Sequence, residues 1–144
     1  MRKFTLLVVM GLFCSAAFGQ QDYWSSRIGT SGITTDKAVS RLAYPKEFRL
    51  FDLNIDPLRQ KLFTITDKIG QSTIISLPNA DGGIEQFEVF EASNFDPALQ
   101  ARYPEIRAFS GRGITDRYAT LKLSISPQGV QTMVFRADSP AEFI

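Results

Sequence analysis

The sequence predicts a mainly β or α+β fold, built of antiparallel β-hairpins and a meander with two short helices capped by Asp-Pro. Three observations carry this. Ala119, Leu121, Leu123 and Ile125 alternate with Thr120, Lys122 and Ser124, which is the period of a half-buried strand. Turn-forming clusters, Asn79 to Gly83 and Ser126-Pro127-Gln128-Gly129, separate apolar runs. Asp-Pro occurs twice, at Asp56-Pro57 and Asp96-Pro97, where Asp can accept an orphan helix N–H and Pro has no donor to lose.

Residues 1–19 read as a signal peptide. Arg2 and Lys3 precede an apolar run from Thr5 to Phe13, then small residues from Cys14 to Ala17. Ala17 and Gly19 supply the small residues a signal peptidase reads, so cleavage is expected after Gly19, leaving Gln20 first; cleavage after Ala17 is the alternative. The run is too short for a stable membrane anchor, which needs about 20 residues. Phe13 is too bulky to precede a lipid-modified cysteine, so Cys14 leaves with the peptide. The expected location is periplasmic or extracellular.

Residues 20–45 form a polar leader, read as mobile, with at most a short helix near Asp36 to Leu42. Tyr23-Trp24 is its one large apolar element. Residues 46–144 form the β-rich domain. Phe48 to Leu53 is its first strand, and Asp56-Pro57 opens a helix carrying Leu58 and Leu62. Ser72 to Leu77 and Ile84 to Ala92 are antiparallel partners around a turn in which Asn79 and Asp81 shape the backbone and Gly82 and Gly83 are free to take positive φ. Asp96-Pro97 starts a second helix that Pro104 stops. Ile106 to Phe109 is a short strand, ended by a turn at Gly111 and Gly113. Ser126 to Gly129, with Pro127 and left-handed Gly129, joins the alternating strand to its return from Val130 to Arg136. Ser139-Pro140 breaks that strand, and Ala141 to Ile144 begins an apolar segment with no partner in view, so the domain reads as incomplete at its carboxyl end.

Composition excludes several functions. Without the leader peptide the chain has 14 basic and 15 acidic residues, net −1, which gives no electrostatic case for nucleic acid or an anionic membrane. Its one cysteine is Cys14, so the exported fold stands without disulfides. The chain has no histidine, which removes a Ser-His-Asp triad and the His-Glu-x-x-His zinc motif. No metal site or cofactor is read from it. Asn79 and Asp81 alternate as calcium ligands do, but Gly83 stands where the third would be, so the segment reads as a turn. Gly111-Arg112-Gly113 lacks the Walker spacing and its Lys-Ser/Thr pair. Arg112 and Arg117, expected near each other on that loop, offer an acidic partner a contact, but a solvated face is the preferred reading. Glu85 and Glu91 share one face of their strand and Glu88 the other, so they form no carboxylate pair. A Ser-Lys dyad remains formally open, with no spacing to support it.

Four segments carry a resemblance. Leu77-Pro78-Asn79-Ala80-Asp81-Gly82-Gly83 is followed by Phe87-Glu88-Val89-Phe90-Glu91, and then by Arg102-Tyr103-Pro104-Glu105-Ile106 leading to Gly111-Arg112-Gly113-Ile114. With the Ser-Pro-x-Gly hairpin, these resemble the amino-terminal pro-region of secreted, reprolysin-like zinc metallopeptidases of bacteria, over Phe48 to Phe135. The resemblance implies a non-catalytic propeptide-like domain that assists folding or latency of a peptidase domain missing from this chain. The partner would be that catalytic domain, and zinc would sit there alone. A cysteine switch is excluded, since no cysteine follows Cys14. Steric cover of the cleft is expected instead, with Asp81 or Asp116 the carboxylates able to reach zinc. The rival expectation is a free-standing exported module that binds a glycan or a protein.

Overall fold

The computed structural model describes residues 23–29, 47–66 and 69–144. The cleavage residues Ala17, Gly19 and Gln20 and the helix expected at 36–42 lie outside them. The described chain is mainly β, with antiparallel sheets and two helices, as the sequence predicts. A small sheet pairs β1 (Trp24–Arg27) with β2 (Leu50–Leu53). Helix α1 (Ile55–Phe63) follows. The large sheet contains β3 (Thr73–Pro78), β4 (Ile84–Glu91), β5 (Arg107–Gly113), β6 (Thr120–Ser126), β7 (Gly129–Phe135) and β8 (Glu142–Phe143), with α2 (Pro97–Arg102) between β4 and β5. Its spatial order is the sequence order and every neighbour is antiparallel, so it is a simple meander.

Register explains the core. Pairing sets Ile75 beside Phe87, Phe109 beside Leu123 and Leu121 beside Val134, all on one face. Leu58 and Leu62 of α1, Ile65 and Tyr23 join them in a single buried cluster. Each such side chain contributes about 1.5–3 kcal/mol when removed from water. The opposite face carries Glu88, Arg112 and Lys122 and stays open.

The hairpin turns follow their side chains. Asn79 Oδ1 accepts from Gly83 N–H (2.8 Å), and its amide donates to Glu85 (2.8 Å). Of the two turn glycines only Gly82 has positive φ, 89°. Gly129 has φ 124° after the two-residue turn Pro127-Gln128. Asp96 caps α2 by accepting from Ala98 and Leu99 (both 2.9 Å), with Pro97 at its first position, and Pro104 lies in the turn beyond.

Several expectations are corrected. The first Asp-Pro pair does not cap its helix. Asn54 stands at that cap without a side-chain bond, and Asp56 lies in the first turn, 3.7 Å from Arg59. There its charge still complements the positive end of the helix dipole. The first domain strand begins at Leu50, two residues later than expected, leaving Phe48 exposed. Gly111 and Gly113 do not form a turn; β5 runs through both. They are glycine because space is lacking. A Cβ at 111 would meet Val89 Cγ1 at 2.8 Å, and one at 113 would overlap the Asp116 carbonyl oxygen. The leader is not wholly loose either. Trp24 to Arg27 form a strand, Tyr23 is buried, and Trp24 Nε1 donates to Ser76 O (2.9 Å). Finally, the carboxyl segment does find a partner. Phe143 pairs with Met133, and Thr132 and Ile144 exchange both backbone bonds.

Candidate functional site

The meander gives its two faces different chemistry. On the inner face, two arginines gather the carboxylates at the margins of the core. Arg107 donates to Glu91 and to Ile65 O, with its guanidinium 5.0 Å from the Phe63 ring centroid and 5.2 Å from that of Phe109. Burial holds its pKa below the ordinary value. Arg136 meets three carboxylates: Glu142 (2.9 Å), Asp116 (3.0 Å) and Glu85 (2.7 Å). Its pKa is raised, chiefly by the Glu142 hydrogen bond, with Glu85 and Asp116 adding to it and burial opposing it. These contacts are structural, since the groups satisfy one another away from solvent.

The outer face has two features. The first is an apolar rim. Ile84, Ile114, Tyr118 and Phe135 are exposed. They lie at the sheet end that holds the 79–83 turn, the β5–β6 connection and the exit from β7. The second is a shallow groove of about 560 Å³ between Ala92 and Asn94 on one side and Phe143 on the other. Its floor comes from two cross-strand rows: Ser110, Lys122, Met133 and Phe143, and beside it Ala108, Ser124 and Gln131. Lys122 Nζ donates to Ser110 Oγ (2.7 Å).

The structure thus brings a serine and a lysine together through register, which no sequence spacing announced. Lysine activates a serine when it is desolvated in an apolar pocket. Lys122 stands on the open face, and the contact acts as a strand-to-strand hydrogen bond.

The other predicted residues are placed as follows. Asn79, Asp81, Gly82 and Gly83 form the exposed β3–β4 turn. Asp116 accepts from Arg136 and from Tyr118 N–H (3.0 Å), so it is held within this domain, whereas Asp81 lies at an exposed tip. Arg112 and Arg117 do not share a loop: the first is on β5 opposite Glu88, the second in the β5–β6 connection. Glu85 and Glu91 share the inner face and Glu88 points outward, as expected from strand parity. Sequence reasoning missed Arg107 and Arg136 altogether. The available signal was Arg107's position two residues before Phe109 on the core-facing parity. Among the described residues no group of three or more acidic, His or Cys side chains is arranged to hold a metal, and no helix is long and apolar enough to cross a membrane.

Comparison with known proteins gives no match to any family model, curated protein or solved structure.

Proposed function

We propose that this chain is a non-catalytic, exported binding domain, and that its partner is the catalytic domain of a zinc metallopeptidase, whose folding or latency it serves. One observation carries the binding role. Ile84, Ile114, Tyr118 and Phe135 stand exposed at one end of the sheet, backed by an internally satisfied ion cluster. Apolar side chains gathered this way favour a protein contact. The choice of partner rests on the resemblance of the Leu77 to Gly83 and Tyr103 to Gly113 segments to peptidase pro-regions. In this reading the rim and neighbouring turns cover the catalytic cleft sterically.

The test adds the purified mature chain to a refolding reprolysin-like catalytic domain. A higher yield of active enzyme, or slowed hydrolysis, is expected. Ile114→Asp with Phe135→Asp should abolish the effect while leaving the circular dichroism unchanged. Absence of binding and of any effect on refolding overturns the peptidase assignment.

A further inference from the structure

The groove over β5, β6 and β7 presents chemistry that the peptidase reading does not use. Its volume, about 560 Å³, falls in the range of small-ligand sites. Lys122 is the one charged side chain lining it. Among the described residues its ammonium has a hydroxyl partner, Ser110, and no carboxylate within ion-pair distance. Around it stand Asn94, Ser110, Ser124 and Gln131. Each carries a group that both donates and accepts, as a sugar hydroxyl does. Phe143, 72 % exposed, walls one side. The negative face of an aromatic ring suits the polarised C–H face of a pyranose.

We propose that this groove binds an acidic saccharide, with Lys122 taking the carboxylate of a uronic acid, the four polar side chains taking ring hydroxyls, and Phe143 covering the sugar's apolar face. An extended acidic peptide is the weaker occupant. Peptides that lie on sheets gain affinity from main-chain pairing at an edge. The floor strands β5, β6 and β7 are interior to the sheet, and the groove reaches an edge only at β8, Glu142–Phe143, where two residues offer a peptide little ladder to join.

The test is a titration of the isotope-labelled mature chain followed by amide chemical shifts. The probes are a galacturonic acid disaccharide, its methyl ester, and a tripeptide containing Glu. The free acid should shift Asn94, Ser110, Lys122, Ser124, Gln131 and Phe143. The ester should bind about tenfold more weakly, the scale of a charge-assisted hydrogen bond. Lys122→Gln should erase the difference between acid and ester, and Phe143→Ala should weaken both. Equal affinity for acid and ester in the native chain overturns the assignment, even if Lys122→Gln fails to fold. So does stronger binding of the tripeptide, which marks a peptide site, or no shift with any probe. Ile114→Asp with Phe135→Asp should leave saccharide binding intact, so the rim and the groove fail separately.

Discussion

Arg136 Nη2 lies 2.7 Å from Glu85 Oε2, joining β4 to the end of β7 across two intervening strands. The same guanidinium reaches Asp116 in the β5–β6 connection and Glu142 in β8. One side chain therefore fastens three separate hairpin connections at one end of the sheet. Its carboxylate partners Glu85 and Glu142 are largely buried, at 14 % and 17 % side-chain exposure. Arg136→Ala leaves them facing one another without a counter-charge. Breaking a buried pair from one side costs about 3–5 kcal/mol. Urea unfolding should show that loss, and a cost below 1 kcal/mol would mean that water satisfies the cluster.

Gly111 and Gly113 give a second prediction. Gly111→Ala pushes a methyl against Val89 Cγ1 and against Glu88 O at 3.1 Å. Overpacking of this kind costs about 1–3 kcal/mol. Gly113→Ala meets backbone, which cannot rotate away, and should be the more damaging. Gly129→Ala meets nothing within 4 Å and carries only the strain of its φ, 124°. The order of unfolding midpoints should therefore be Gly129→Ala above Gly111→Ala above Gly113→Ala. Any other order would mean that β5 relaxes away from β4 more easily than its pairing implies.

Trp24 fixes the amino-terminal layer to the sheet through its bond to Ser76 O. Trp24→Phe keeps an aromatic ring, smaller than the indole, and removes the donor. A net loss of about 1 kcal/mol is expected, the usual worth of one such bond. Circular dichroism in urea measures it. Because the chain has a single tryptophan, native fluorescence also reports the docking directly. A red, solvent-like emission maximum from the folded protein would contradict it.

Tyr23 links stability to pH. Its hydroxyl is buried with no hydrogen-bond partner among the described residues, and burial raises its pKa above the ordinary 10.0. The native state thus keeps this proton after the unfolded state has lost it. Its contribution is intact below the unfolded pKa and is lost as pH rises through the native one. Tyr23→Phe should remove that alkaline loss, and near neutrality should stabilise by about 1 kcal/mol by deleting an unsatisfied buried group. Urea midpoints at about pH 7, 9.5 and 11 decide the matter. A steeper alkaline loss in the variant would reverse the assignment.

The sequence by itself determined the elements whose signal is local. Alternation from Ala119 to Ile125 set β6, its core face and its open face. Asn79 and Gly82 set one hairpin, Pro127 and Gly129 another, and Asp96 set α2, since each acts on backbone within a few residues. Tertiary structure alone decided the rest. Trp24 to Arg27 has Trp24 as its single apolar side chain and no alternation of its own, and becomes a strand because β2 offers it a ladder and Ser76 a carbonyl. Gly111 and Gly113 read as a turn until Val89 and Asp116 close on them. Arg136 finds Glu85 fifty-one residues away, and Ser110 finds Lys122 on the neighbouring strand. Residue type fixes what a side chain can bond, but register and packing fix which partner arrives, and those depend on contacts far apart in the chain.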